Sequence, residues 1–343
     1  MSIETEILVA GGGPVGLAAA IEARLAGLDV VVVEPRVGPI DKACGEGLMP
    51  GAVPALTRLG VHPRGFPLRG VEYIDTDGRT ASHRFITGNG LGVRRTVLHQ
   101  ALHARAEDLG ARFVVDHVNG VIQDATGVTA GGIRADWLIA ADGLTSRIAR
   151  DLGMALPTPR TRRRYGQRRH YRVEQWTDLI EVHWSSLGEM YVTPSADGLV
   201  NIALLAAPGV HFDEALALTP QLAERVRRAP AASQLRGAGP LRHRTRRRVL
   251  GRTLLVGDAS GYVDALTGEG IRIGLDQASA AITAVAAGHP QLYEADWKRI
   301  TRDFRRLTGA ITWAATSPLR SLIVPTARTA PGVFESAVER LAR

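Results

Sequence analysis

The sequence predicts an α/β fold in which a parallel sheet with flanking helices is interleaved with a β-rich domain and followed by C-terminal helices. Three observations predict it. Residues 6–34 have a strand–turn–helix–strand pattern, residues 252–288 have a strand–loop–helix pattern, and segments of β-type alternation lie between them. Because the β-rich segments interrupt the α/β pattern, we expect two interleaved domains instead of two consecutive ones.

The first elements form a βαβ unit. Apolar runs at 6–10 and 29–34 flank a helix that follows Pro14, and its crossover should be right-handed. The turn between strand and helix contains Gly11, Gly13 and Gly16 in a G-x-G-x-x-G pattern, a Rossmann-like feature that brings backbone N–H groups close to a pyrophosphate. Glu34 ends the second strand, about 20 residues on, where a carboxylate accepts ribose hydroxyls. The unit therefore predicts an ADP-containing dinucleotide, FAD or NAD, whereas the lone acid disfavours a 2′-phosphate.

The later elements follow from turn signals and periodicity. Residues 70–85 are predicted to form a hairpin with Asp77-Gly78 at its turn, and 94–110 to form a helix. Strands are expected over 111–143 and again over 165–205, a helix over 213–236, and a long helix from about Ile271. Residues 291–343 are expected to be mostly helical, with breaks at Pro318, Pro325 and Pro331.

Charge and composition restrict the function classes. The net charge is +8, but the cations are almost all arginine, and no zinc-spaced Cys/His set or aromatic RNA-binding motif accompanies them. Nucleic-acid binding and a metal site are therefore not predicted. The arginine-rich segments 160–172 and 242–252 are candidate anion-binding surfaces, with a solvated charged face as the plainer interpretation.

The cellular compartment is predicted from the cysteine content and from the lack of membrane-spanning or targeting segments. Cys44 is the only cysteine, which fits a reducing compartment. No apolar run reaches the roughly 20 residues of a membrane span, and no basic region precedes the first apolar segment. We expect a cytoplasmic protein.

Four segments resemble one superfamily. They are "EPR" (34–36), "RRTVLHQALHARA" (94–106), "LIAADGLTSRIAR" (138–150) and "TLLVGDASGYVDALTGEGIRIGLDQA" (253–278). In combination and in this order they resemble the FAD-dependent monooxygenase superfamily with the para-hydroxybenzoate hydroxylase-like fold. Within it, "DKACGEGLMPGAVPALTRLG" (41–60) and "EMYVTPSADGLVNIAL" (189–204) are most similar to the geranylgeranyl reductase-type branch, although Asp264-Ala265 stands where Asp-Pro is usual. The tryptophan-containing motif of flavin halogenases is not evident.

The resemblance implies FAD as the cofactor and a set of residues that bind it. Asp258 would hold the ribityl chain, and backbone N–H groups of the 264–270 loop would lie near the pyrimidine edge of the flavin. The expected FAD-binding residues are Gly11, Gly13, Pro14, Gly16, Glu34, Arg36, Cys44, Gly45, Arg95, Asp142, Gly143, Gly257, Asp258, Gly268, Gly270 and Ile271. The expected domains are an FAD-binding domain (1–70, 91–160 and 250–300), a β-rich substrate domain (71–90 and 161–249) and a C-terminal helical segment (301–343).

The substrate side is less specific. Cys44 is expected to line the pocket, with an inert buried thiol as the alternative, and Glu46 is expected either to contact substrate or to cap the following helix. The sheet over the flavin offers further pocket candidates, of which strand alternation places about half on the flavin side. They are Tyr171, Trp176, His183, Trp184, Met190, Tyr191 and Asn201.

Two enzymatic functions and one binding function remain open at this level. The preferred one is an FAD-dependent monooxygenase that hydroxylates or epoxidises a hydrophobic organic substrate through a flavin C4a-hydroperoxide, with NADH or NADPH as reductant. The alternative is a geranylgeranyl reductase-like flavoprotein that reduces alkenes. The least favoured hypothesis is a non-catalytic dinucleotide-binding protein. A flavin or ferredoxin reductase is an alternative electron source, because no second G-x-G-x-x-G turn follows a strand.

Overall fold

The computed structural model describes residues 3–159 and 163–343, and its largest sheet has eight strands. They are β1 (Glu4–Ala10), β2 (Val30–Val33), β8 (Arg112–Val114), β9 (Val121–Gln123), β10 (Val128–Ala130), β11 (Ile133–Ala140), β19 (Val249–Leu250) and β20 (Thr253–Leu255). Strands β8, β2, β1, β11 and β20 lie in that order and run parallel, while β9, β10 and β19 pair antiparallel at its margins. All four valines of β2 are buried, as a parallel strand covered on both faces requires.

Helices pack against this parallel sheet. They are α1 (Pro14–Leu25), α2 (Ala52–Arg58), α3 (Arg95–Asp108), α4 (Arg147–Asp151) and α7 (Gly270–Ala286). Helix α1 buries the alanines 18, 19, 20 and 23 completely. Because these side chains are small, α3 and α7 both pack closely on α1.

A second sheet of seven strands, which we call the roof sheet, forms most of the other half of the molecule. Its strands are β5 (Gly70–Ile74), β6 (Thr80–Arg84), β13 (Tyr165–Arg172), β14 (Leu179–Trp184), β15 (Gly188–Ser195), β16 (Leu199–Ala206) and β17 (Arg236–Ala238). Smaller sheets join the two halves: β3 (Gly47–Leu48), β4 (Phe66–Leu68) and β7 (Gly90–Gly92) form one, and β12 (Ala155–Leu156) and β18 (Arg244–Thr245) form the other.

The two faces of the roof sheet have different neighbours. One face packs Met190, Val192 and Ile202 against α5 (Phe212–Ala217) and α6 (Pro220–Val226). The opposite face packs Ile180, Val182 and Trp184 towards α8 (Leu292–Ala315), α9 (Ile323–Thr329), α10 (Pro331–Ala342) and Leu266. This second face is the one that looks onto the dinucleotide edge of the parallel sheet.

The predicted α/β fold with C-terminal helices is confirmed, with two local corrections. The helix expected over 213–236 is instead the short pair α5 and α6, because Pro220 starts a new helix and Pro230 follows its end. Pro325 does not break the C-terminal helices; it lies in the first turn of α9, where its missing N–H costs no hydrogen bond. The domain boundaries stay a prediction.

Candidate functional site

The turn between β1 and α1 depends on glycine for different reasons at each position. Gly11 has φ +106°, and a Cβ on Gly16 would lie 1.8 Å from the carbonyl oxygen of Gly11. At Gly13 an added Cβ would meet no protein atom within 4 Å, so the backbone there faces open space. Pro14 begins the helix directly behind it. The turn thus presents a helix N-terminus to a space that a phosphate can occupy.

Glu34 lies at the end of β2 and contacts this turn. Its carboxylate accepts hydrogen bonds from the backbone N–H of Gly12 at 2.9 Å and from Arg36 Nε at 2.6 Å. Burial acts to raise the pKa of Glu34, but the hydrogen bonds from Arg36 and Gly12 outweigh it and the pKa lies below its usual value. His99 Nε2 donates to the carbonyl oxygen of Gly12 at 2.9 Å and holds the turn from α3. His99 lies in the 94–106 segment but is not among the FAD-binding residues expected from the sequence.

Asp142 and Gly143 follow β11, beside the same turn. Asp142 Oδ2 accepts from the backbone N–H groups of Arg147 and Ile148 at 2.8 and 3.2 Å, which caps α4. Its other oxygen, Oδ1, is buried without a partner among the described residues. Gly143 has φ +82° and turns the chain at this point.

Asp258 lies in a 3₁₀ turn after β20. Burial raises the pKa of its carboxyl, and the positive charges of Arg95 and Lys42 act against that rise. Gly257 has φ +60°, and its backbone N–H donates to Gln277 Oε1 of α7 at 2.7 Å, a support that sequence reasoning missed. The structure thus brings Asp258 and Arg95 into the same electrostatic surroundings, although they are far apart in the chain.

The 264–270 loop joins this turn to α7 and is held from two sides. Its Leu266 N–H donates to Asp264 Oδ1 at 3.1 Å, and Tyr191 of the roof sheet donates its hydroxyl to Leu266 O at 3.0 Å. Thr267 bonds to Thr308 of α8 at 2.8 Å. Gly268 has φ +70° just before α7 begins at Gly270, with Ile271 next. The loop is fixed with the N-terminus of α7 facing the site.

Residues 41–47, which we call the cysteine loop, run under the roof sheet. Asn201 Nδ2 donates to the carbonyl oxygens of Cys44 and Gly45, each at 3.0 Å. Glu46 is buried, and its carboxylate accepts from the backbone N–H of Arg95 at 3.0 Å and contacts His170 Nε2 at 2.6 Å. Of the two expectations for Glu46, capping is the one that its contacts match, but the capped helix is α3 and not the following α2.

The pocket candidates of the β-rich segment divide between the two faces of the roof sheet. Tyr191, Asn201 and Trp184 lie on the face towards the cysteine loop and the 264–270 loop; Trp184 is packed there against Tyr73 and the C-terminal helices. The expectation that the other four line the pocket is wrong, because they lie on the opposite face. Tyr171, Trp176 and Met190 are in the core with α5 and α6. His183 pairs in register with Met190 and therefore shares its face. Alternation predicted such a division but not which residues fall on which face.

Both arginine-rich segments contain buried, ion-paired arginines beside exposed ones. In the segment 160–172, of which 160–162 lie outside the described residues, two arginines are buried. Arg164 forms ion pairs with Glu189 and Asp264. Arg168 forms an ion pair with Asp41. In 242–252, Arg248 binds Glu294 at 2.7 Å. These three side chains are parts of the core. Arg172, Arg244, Arg246 and Arg247 are exposed, as in a solvated charged face.

Comparison with known proteins identifies the family. Residues 4–289 match the model of the family described as FAD binding domain. The chain belongs to this family. Among curated relatives it is 30% identical to a menaquinone reductase of Mycolicibacterium smegmatis, over 88% of this chain and 81% of that protein. It is 29% identical to the chloroplastic geranylgeranyl diphosphate reductase of Oryza sativa subsp. japonica, over 88% and 71%.

Solved structures agree on the fold. A geranylgeranyl bacteriochlorophyll reductase-like protein of Thermoplasma acidophilum has a TM-score of 0.77 at 21% identity, covering 99% of this chain and 96% of that one. The flavin-dependent brominase Bmp2 has a TM-score of 0.78 at 17% identity, covering 99% and 93%. At these identities the likeness concerns the fold alone. The predicted resemblance and FAD assignment are confirmed by the family, and the chain is an FAD-dependent oxidoreductase.

The residues present fit FAD. Among the described residues, Asp142 Oδ1 and Arg95 Nε are buried without a partner, and the backbone of Gly13 faces open space. The carboxyl of Asp258 lies near Arg95. Hydroxyl groups of a ribityl chain and oxygens of a pyrophosphate supply the partners that such groups require. Among residues 3–159 and 163–343, the longest helices are too polar or too short to cross a membrane.

Proposed function

We propose that this oxidoreductase reduces a carbon–carbon double bond in an apolar, isoprenoid-type substrate. The curated relatives that match over most of their own length include a menaquinone reductase and a geranylgeranyl diphosphate reductase. The observation that carries the proposal is the position of the cysteine loop. The "DKACGEG" segment, which resembles the reductase branch, lies between the FAD-binding residues and the roof sheet, where a substrate would meet the cofactor.

The roles of this chain's residues follow from where they lie. FAD, once reduced, supplies a hydride, and a proton completes the addition to the double bond. Glu34 would bind the ribose, Asp258 the ribityl chain and the turn at Gly13 the pyrophosphate. The N-terminus of α7 at Gly270 and Ile271 would stabilise negative charge on the reduced flavin. The roof sheet, through Tyr191 and Asn201, closes the site against water, and Cys44 lines it.

A monooxygenase is the second candidate. A rifampicin monooxygenase of Streptomyces venezuelae is 25% identical over 80% of this chain, and the same FAD-binding residues serve either chemistry. In both cases NADH, NADPH or a partner reductase provides the electrons. The two candidates differ in what the product gains, two hydrogen atoms or one oxygen atom.

The deciding experiment is a single turnover without oxygen. Purified protein is reduced chemically and mixed anaerobically with geranylgeranyl diphosphate or a menaquinone in D₂O, and the product is analysed by mass spectrometry. The proposal expects two added hydrogens on carbon, both of them deuterium, because the N–H that reduced flavin transfers as hydride exchanges with the solvent and the proton also comes from it. Reoxidation only with isotopically labelled O₂, with label in the product, would instead establish the monooxygenase. FAD-free protein is the control for background reduction.

A further inference from the structure

We infer that His170 and Asn201 are positioning residues that set the cysteine loop, and with it the Cys44 thiol, against the cofactor. The two residues are cross-strand neighbours on β13 and β16, on the face of the roof sheet that looks onto the site. Each contacts the cysteine loop directly. Asn201 lies in the 189–204 segment that resembles the reductase branch, whereas His170 lies outside every segment that carries the resemblance. The inference deepens the proposed function, because it rests on FAD lying beside this loop.

The loop conformation needs external support. Glu46 has φ +60°, in the left-handed region that a residue with a Cβ rarely adopts. Such a conformation persists only where the surroundings hold it. Its own side chain provides the attachment points: one carboxylate oxygen binds the N-terminus of α3 and the other binds His170. The backbone N–H of Glu46 in turn lies 3.4 Å from Cys44 Sγ, so the thiol position depends on the conformation of Glu46.

The neighbours of His170 fix which nitrogen carries its proton. Arg168 Nη1 lies 3.1 Å from His170 Nδ1. Because a guanidinium has donors only, Nδ1 accepts this bond, and the proton of the neutral ring is on Nε2, which donates to Glu46 at 2.6 Å. Arg168 also binds the side chain of Asp41 and the carbonyl oxygen of Lys42. The roof sheet therefore holds the loop near its start, at Cys44 and Gly45, and at Glu46.

The same sheet contains a matched control on its other face. His183 Nε2 contacts Glu181 Oε2 at 2.9 Å, and both residues are buried, as His170 and Glu46 are. This pair faces the core with α5 and α6 and does not reach the cysteine loop. Replacing either histidine breaks a buried His–Glu pair in one sheet, but only replacement of His170 should affect the thiol.

Alkylation of Cys44 measures the position of the loop directly, since no other cysteine is present. We compare His170→Leu, His170→Gln and His183→Leu in FAD-loaded and FAD-free protein, together with the absorption spectrum of bound FAD. His170→Leu should raise the alkylation rate about tenfold, because an unpaired buried carboxylate favours opening of the loop. The glutamine amide restores a donor near the position of Nε2, so His170→Gln should stay within about twofold of the unsubstituted protein, as should His183→Leu.

Each outcome decides one point. Equal effects of His170→Leu and His183→Leu, or no effect of either, would overturn the inference. If His170→Leu does not fold, Asn201→Leu removes the two bonds to Cys44 and Gly45 and should raise the rate in the same direction; an unchanged rate there would likewise overturn it. The position of FAD is tested separately: bound FAD should slow alkylation of the unsubstituted protein, and a failure to do so would contradict the proposed function while leaving the effect of His170 intact.

Discussion

Gly13 and Gly16 occupy the same turn, but only one of them leaves room for a side chain. Gly16→Ala would place a methyl group 1.8 Å from Gly11 O, so the turn must open and the protein should lose the fold of its first βαβ unit. Gly13→Ala puts its methyl group into space free of protein atoms, at φ −70°, which alanine adopts readily.

Gly13→Ala should therefore fold normally yet bind FAD at least about tenfold more weakly, because the methyl group occupies the approach of the pyrophosphate. The melting temperature of the FAD-free protein and the dissociation constant of FAD, measured by flavin fluorescence, report the two effects. Unchanged FAD affinity would mean that the pyrophosphate does not approach Gly13. Gly332→Ala, at another glycine with open surroundings, should leave the dissociation constant of FAD unchanged.

Asp258→Ala removes the carboxylate expected to hold the ribityl chain. The purified variant should contain little FAD, as the ratio of flavin absorbance to protein absorbance will show. Asp213→Ala is the matched control and should retain FAD, because Asp213 lies on α5 and forms an exposed ion pair with Arg169. Cys44→Ser should also retain it, because a pocket-lining thiol contributes little to cofactor affinity. An Asp258→Ala protein that purifies with full flavin would contradict the assignment of this segment.

At the level of elements, strands and helices were predictable wherever their periodicity is local. Strand β1, helix α1 and the hairpin of β5 and β6 follow from patterns within about 12 residues. The face that each roof strand turns to the site was not predictable, because it depends on strand pairing. His170 and Glu46 are 124 positions apart in the sequence, and no local sequence pattern predicts that their side chains are in contact. This is why His183 was considered for the pocket and His170 was not.

The C-terminal helices are attached to the roof sheet through an aromatic cluster. Phe334 of α10 lies with its ring centroid 5.0 Å from that of Tyr73, which also contacts Trp184 at 5.3 Å. Phe334→Ala should lower the free energy of unfolding by about 3 kcal/mol, since it leaves a cavity between the helix and the sheet. Urea denaturation measures the loss. Val333→Ala, next to it and 70% exposed, should cost under about 0.5 kcal/mol; a similar loss for both would show that α10 does not pack there.

For the whole molecule, the motifs predicted FAD and a candidate site for it, but they did not predict how the two halves of the molecule are joined. Gly11, Glu34, Asp142 and Asp258 could be placed because short motifs fix their local geometry. The joining contacts are buried charges whose partners come from both halves, such as Arg164 with Glu189 and Asp264. A sequence shows that such residues are charged but not that they are buried. For this reason Arg164 was predicted, with the rest of 160–172, to belong to a basic surface.

These buried charges give the assembled molecule a pH dependence. Glu189 is fully buried, and burial raises its pKa from the usual 4.5 to about 7, against the opposing charge of Arg164. Between these values the folded protein holds a proton that the unfolded chain has released, so the free energy of unfolding falls as the pH rises. The limiting slope is about 1.4 kcal/mol per pH unit.

Glu189→Gln removes this titration. The stability of the unsubstituted protein relative to Glu189→Gln should therefore fall by about 2 kcal/mol between pH 5 and pH 7, as urea denaturation at several pH values will show. Glu224→Gln, at an exposed pair with Arg227, should keep the pH dependence of the unsubstituted protein. A constant difference between the Glu189→Gln variant and the unsubstituted protein would mean that Glu189 stays ionised beside Arg164. The link between the roof sheet and the 264–270 loop would then be a permanent ion pair, and the two halves would stay joined by charge across this pH range.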